Sequence, residues 1–129
     1  MGHIIHFKLT SADPAATADF YSRAFGWEST PSPFIPNYFT AATGEGPGID
    51  GAIMDSSYQR QSVIAWIEVA DINAAVEAVI AAGGSEAGDI SQITGVGHVG
   101  CVADPNGVLI GLRQSVQSAP GRPSRAATR

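Results

Sequence analysis

The side chains with the clearest capacity for chemistry in this chain are His6, Glu68, His98 and Arg113, with Trp66 and Tyr38 as aromatic company. An imidazole titrates near neutrality, so His6 can move a proton or give a lone pair to a metal ion. Glu68 can act as a general base, which makes His6 and Glu68 the two catalytic candidates. Trp66 and Tyr38 can stack on a flat ligand, and Arg113 can meet an oxygen acceptor in a planar fork. His3 and His6 form an H-x-x-H pair, but residues three apart on a strand point to opposite faces, which excludes joint metal binding. Cys101 lies in an apolar run with no basic neighbour and is expected to be a small core residue. The glycine-rich stretches "GEGPG" and "GVG" open no helix after a strand at phosphate-loop spacing.

These residues must be positioned by short alternating segments. In "IIHFKLT" the apolar Ile5, Phe7 and Leu9 alternate with His6, Lys8 and Thr10, the pattern of a half-buried strand. Asp13 then supplies an N-cap oxygen and Pro14 a pre-set first helical φ. The helix "PAATADFYSRAF" gathers Phe20, Tyr21, Ala24 and Phe25 on one broad face, and Gly26 ends it. "WEST", "NYFTAAT" and "GIDGAIMDS" read as three strands, the last two joined through "GEGPG". The second half repeats this order. "SVIAWIEV" is a strand, Asp71 a cap, and "INAAVEAVIAA" a helix burying Ile72, Val76 and Val79 before Gly83 and Gly84. "SEAGDISQI", "GHVGCVA" and "GVLIGLRQ" complete it, the last two linked by "DPNG".

The chain is therefore a doubled βαβββ unit of α+β class, expected to form a curved mixed sheet around a central cleft. The boundaries are 1–56 for the first module and 57–114 for the second, together one domain. Residues 115–129 form a Pro-, Arg- and Ser-rich tail expected to be disordered.

All twelve acidic residues precede position 105, and three of the seven basic ones are Arg122, Arg125 and Arg129. The remaining four leave residues 1–114 at a formal −8, which repels a nucleic-acid backbone. No apolar run reaches the roughly 20 residues of a membrane span. A single cysteine fits a reducing compartment, and the start has no signal-peptide pattern, so a cytoplasmic protein without membrane partner is expected.

"HFKLTSADPAATADFYSRAFGWE", "GIDGAIM", "WIEVADINAAVEAVIAAGG" and "GHVGCVADPNGVLIGLRQ" resemble the vicinal oxygen chelate superfamily over residues 3 to about 114. That superfamily includes glyoxalase I, the bleomycin-resistance proteins and the extradiol dioxygenases, and the likeness is closest to its small glyoxalase-like members. The resemblance implies a divalent metal (Zn, Ni, Mn or Fe) held by the first and last strands of each half. Carried over residue by residue, His6 fills the first position and is the sole metal candidate on these strands. Trp66 stands at the second, where an indole has no lone pair to give. Gly111 replaces a carboxylate at the third. Gly51 matches the fourth, with Asp50 the one potential ligand beside it.

The resulting expectation is a metal-free protein of the bleomycin-resistance type that binds a small aromatic or heterocyclic molecule, without a cofactor. The alternative is a glyoxalase-type lyase or isomerase that uses a non-standard metal site or acid–base residues. With the large apolar residues turned to the helices, alternation assigns His6, Lys8, Tyr38, Thr40, Trp66, Glu68, His98, Gly111 and Arg113 to the ligand. Gly100 falls on that face too. Phe7, Leu9, Phe39, Ile67, Val69, Val99, Cys101, Ile110 and Leu112 are assigned to the core. The resemblance further implies a homodimer.

Overall fold

The computed structural model describes residues 2–116; the tail expected from residue 115 starts later than that, because Ser115 is the last residue of the final strand, and residues 117–129 lie outside the described ones. Nine strands and two α-helices occur among the described residues. The fold class is α+β, as the sequence implies. Two compact units divide them: residues 6–63, and residues 64–116 together with residues 2–5.

In the first unit, β1 (Ile4–Ser11, whose first two residues belong to the other unit) is followed by α1 (Pro14–Phe25), β2 (Glu28–Pro31), β3 (Tyr38–Ala42) and β4 (Gly51–Asp55). The strands lie in the order β2-β3-β4-β1, antiparallel except for the parallel pair β1–β4. Asp13 caps α1 by accepting from the Ala16 N–H at 3.1 Å, and Gly26 ends it at φ 76°. The glycine is needed there because a side chain in the left-handed region is strained. Pro14 and Ala18 are the buried residues of α1, and Ala18 packs with Ala41 and Ile53 while Leu9, Tyr21, Trp27 and Phe39 close round them. Phe20 and Phe25 are 57% and 67% exposed, so the expected aromatic face of α1 is not the buried one. The small residues set the close helix–sheet approach, and the larger rings are left outside, where Phe20 packs edge-on against Tyr21. A 3-10 turn, Ser56–Tyr58, follows β4, and Tyr58 donates from its hydroxyl to the Pro36 carbonyl at 2.5 Å.

In the second unit, β5 (Val63–Glu68) leads to α2 (Ile72–Ala81), then β6 (Ser85–Glu86), β7 (Ser91–Ile93), β8 (Gly97–Ala103) and β9 (Leu109–Ser115). The order is β5-β9-β8-β6, with β7 also on β8, and β5–β9 is the parallel pair. The expected single strand "SEAGDISQI" is thus two short strands on the same side of β8. Gly88, at φ 109°, lies in the segment that breaks them. Asp71 caps α2 through the Asn73 and Ala74 N–H groups at 3.0 and 3.2 Å. Gln114 adds its side-chain oxygen to the Ile72 N–H at 2.8 Å, which ties the start of α2 to β9.

Ile72, Val76, Val102 and Leu112 form the core between α2 and its sheet, with Ile67, Val69, Val79, Ile90 and Ile110 packed against it. Burying Ile72, which is 1% exposed, contributes about 2 kcal/mol. A second apolar cluster lies on the sheet face turned away from α2: Ile64, Trp66, Ala103 and Leu109, with Ala87, Val99 and Cys101.

Candidate functional site

Both first strands carry their polar residues on the face opposite the helix. On β1, Phe7 and Leu9 face the α1 layer and leave Lys8 and Thr10 on the other side. The register aligns Lys8 with Ala52 and Thr40, and Thr10 with Met54 and Tyr38. Lys8, Tyr38 and Thr40 therefore share one face of the first unit's strands, over a floor of buried Ala52 and Met54. His6 shares that face by alternation. Burial raises the Tyr38 phenol above its ordinary value of 10.0, because desolvation penalises the phenolate.

Gly51 does not belong to that face. It pairs with Phe7, and a Cβ built on it would come within 2.5 Å of the Phe7 ring. The expected match of Gly51 to a ligand position is thus one residue out of phase. Asp50 serves the turn before β4, accepting from the Thr43 N–H at 2.9 Å and the Thr43 hydroxyl at 3.2 Å.

On β5, Trp66 and Glu68 point away from α2, and on β9 so do Gly111 and Arg113, in direct register with them. Gly111 is the close-approach glycine of this half. A Cβ there would fall 2.1, 2.3 and 2.5 Å from Cδ2, Cε3 and Cε2 of Trp66, so the indole lies on the bare backbone of β9. Trp66 is only 8% exposed. Its ring is packed among aliphatic neighbours instead of being displayed as an open stacking surface.

Beyond the indole the same face turns polar. Glu68 accepts from the Ser115 N–H at 3.0 Å and the Ser115 hydroxyl at 2.5 Å. Arg113 Nε stands 3.8 Å from Glu68 Oε1, a charge contact too long for a hydrogen bond. Next to this group is a recess of about 650 Å³, whose lining includes Glu68, Gln92, Thr94, His98, Gln114 and Ser115.

His98 reaches that recess from the opposite side of the sheet to the one expected. Val102 packs in the α2 core, so alternation along β8 puts Gly100 and His98 on the α2 side. A Cβ at Gly100 would meet Ile90 at 3.4 Å, which agrees. Val99 and Cys101, expected in the helix-side core, pack instead on the Trp66 cluster. The structure thus brings Trp66, Glu68, Gly111 and Arg113 together on one face, and turns His98 to the other.

Whether this half fits a metal ion follows from its donors. Trp66 has no lone pair to give, and the volume above Gly111 that a donor side chain would need is filled by the indole. Among the described residues no three His, Cys, Asp or Glu side chains converge. The residues of this half do not fit the metal that the resemblance implies. The polar group that sequence reasoning missed is Ser115, which fixes Glu68. It follows the β9 alternation by one further step (111, 113, 115), and that step was the available signal.

The comparisons agree with this architecture. A probable lactoylglutathione lyase of Vibrio parahaemolyticus serotype O3:K6 is 31% identical, over 93% of this chain and 96% of its own length. Methylmalonyl-CoA epimerase from Mycobacterium tuberculosis superposes with a TM-score of 0.65 at 17% identity, covering 90% of this chain and 89% of that one. A glyoxalase/bleomycin resistance protein/dioxygenase superfamily member from Vibrio splendidus 12B01 gives 0.64 at 16%, covering 90% and 100%. At those identities the two solved structures speak for the fold. The model of the glyoxalase-like domain matches residues 6–112, which include both helices and the glycine beneath the indole, and the chain belongs to that family.

Proposed function

We propose that this chain is a metal-free binding protein of the bleomycin-resistance type, holding a small aromatic or heterocyclic molecule through polar side chains on its sheet faces. One observation carries the reading: the indole of Trp66 occupies the space above Gly111, so two of the positions that would hold a metal offer no donor. In support of the reading, the same face carries an apolar cluster that grades into Glu68, Arg113 and Ser115. Apolar walls with a few fixed polar groups are the usual composition of a small-molecule site.

The test is metal analysis of protein purified without chelator, paired with a screen of small aromatic and heterocyclic compounds by tryptophan fluorescence in a Trp27→Phe background. Substoichiometric metal together with saturable quenching by a compound supports the reading. One equivalent of Zn, Ni, Mn or Fe, lost in His6→Ala, overturns it.

A second reading, a lyase or isomerase of the glyoxalase type, draws on the name of the 31% identical relative. There His6 or Glu68 would carry the proton. Lactoylglutathione turnover that survives a chelator and disappears in Glu68→Gln would favour it.

A further inference from the structure

Arg113 stands on β9, flanked by β5 and β8, and its side chain is 26% exposed. A guanidinium carries five N–H donors and loses strong hydration when three-quarters covered, so protein acceptors normally replace the water. Here no described residue accepts a hydrogen bond from it, and its Nε is buried without a partner. Glu68, the one carboxylate beside it among the described residues, is 3.8 Å away and already accepts from Ser115 through both oxygens. That carboxylate offsets part of the positive charge and accepts no hydrogen bond from the guanidinium. On the backbone, Arg113 is in register with Glu68 of β5 on one side and Val99 of β8 on the other, with Gly111 and Ser115 two residues before and after it on β9.

We infer that Arg113 is the anchor for an anionic group, and that the ligand of this site is a small carboxylate-bearing molecule. The inference rests on the binding-protein reading above and names the ligand's chemical class. A planar carboxylate matches the guanidinium fork bidentately, which a neutral amide cannot do. The acidic body of the chain works against this, as does Glu68, so the anchor must act by contact geometry and desolvation instead of long-range attraction. Glu68 is accordingly a restraint on affinity: it holds Arg113 in place and repels the ligand.

The experiment uses benzoate and its neutral counterpart benzamide as probes on the full chain. Binding is followed by NMR of the Arg113 Nε–H signal and by thermal shift. Benzoate is expected to move the Arg113 signal and to bind about ten- to a hundredfold more tightly than benzamide, the range for charge-assisted hydrogen bonds. Arg113→Gln should remove that preference. Arg113→Lys, which keeps the charge and loses the fork, should recover only part of it, and Glu68→Gln should tighten benzoate binding. Circular dichroism confirms that each variant is folded, and the unmodified chain alone decides the issue if Arg113→Gln is not. Equal affinity for the two probes, or an Arg113 signal that benzoate does not move, overturns the carboxylate anchor. If neutral aromatic compounds still bind in the fluorescence screen, the binding-protein reading stands without it. If a stoichiometric metal is found and no compound binds, that reading falls as well.

Discussion

Replacing Gly111 with alanine is the sharpest probe of this structure. The new Cβ would sit 2.1–2.5 Å from three ring atoms of Trp66, against an ordinary carbon–carbon contact of about 3.5–4.0 Å. The ring must move by more than about 1 Å, and at 8% exposure it has packed neighbours to displace. Overpacking of this kind costs about 1–3 kcal/mol, and the contact here belongs at the upper end. Alanine regains about 0.4–1 kcal/mol by narrowing the unfolded ensemble. The net expectation is a loss of about 2 kcal/mol, measured by urea denaturation followed by far-UV circular dichroism. In a Trp66→Ala background, itself costing about 3–5 kcal/mol, the same change should be neutral or mildly stabilising. The double-mutant cycle should therefore return a coupling of about 2–3 kcal/mol. A Gly111→Ala variant within about 0.5 kcal/mol of the parent, or an equal loss in both backgrounds, would refute the interlocked packing.

Gly100→Ala is the matched control: its Cβ would meet Ile90 at 3.4 Å, so stability should change by no more than about 0.5 kcal/mol in the same urea experiment. Asp71→Ala removes the N-cap of α2 and should cost about 1 kcal/mol, read as a lower urea midpoint at unchanged slope. Burial raises the folded-state pKa of Tyr38, so the unfolded chain gives up that proton first. The related stability is intact below pH 10.0 and is lost as pH climbs past it, and Tyr38→Phe should flatten this alkaline decline in pH-dependent melting. Loading the protein with Zn or Ni should leave its melting temperature unchanged, since a ligand bound to the native state would raise it.

Much of this architecture was legible because two signals coincided. Asp13 with Pro14, and Asp71 before "INAAVEAVI", marked both helix starts by chemistry that hardly depends on tertiary context. On β5 and β9 the alternation of aliphatic with polar or missing side chains fixed which face Trp66, Glu68, Gly111 and Arg113 share. β8 lacked that contrast. Val99, Cys101 and Val102 are all apolar, Gly100 has no side chain, and both faces of the strand are covered, so alternation gave no preference and the reading slipped by one. Gly51 failed for a related reason, since a glycine reports no face until its neighbour, Phe7, is seen lying over it. On α1, ring size misled: the helix is seated through Pro14 and Ala18, and Phe20 and Phe25 stay outside.

The indole resting on bare backbone also constrains how this sequence can change. A carboxylate cannot enter position 111 while the bicyclic ring is present, because the intermediate would be overfilled. Shrinking residue 66 first leaves a void instead, at about 3–5 kcal/mol. Either single step crosses a loss that only the second one recovers. The two positions are therefore bound to change together, and a lineage that once acquired this pairing is held in it by sterics, whatever ligand it later serves.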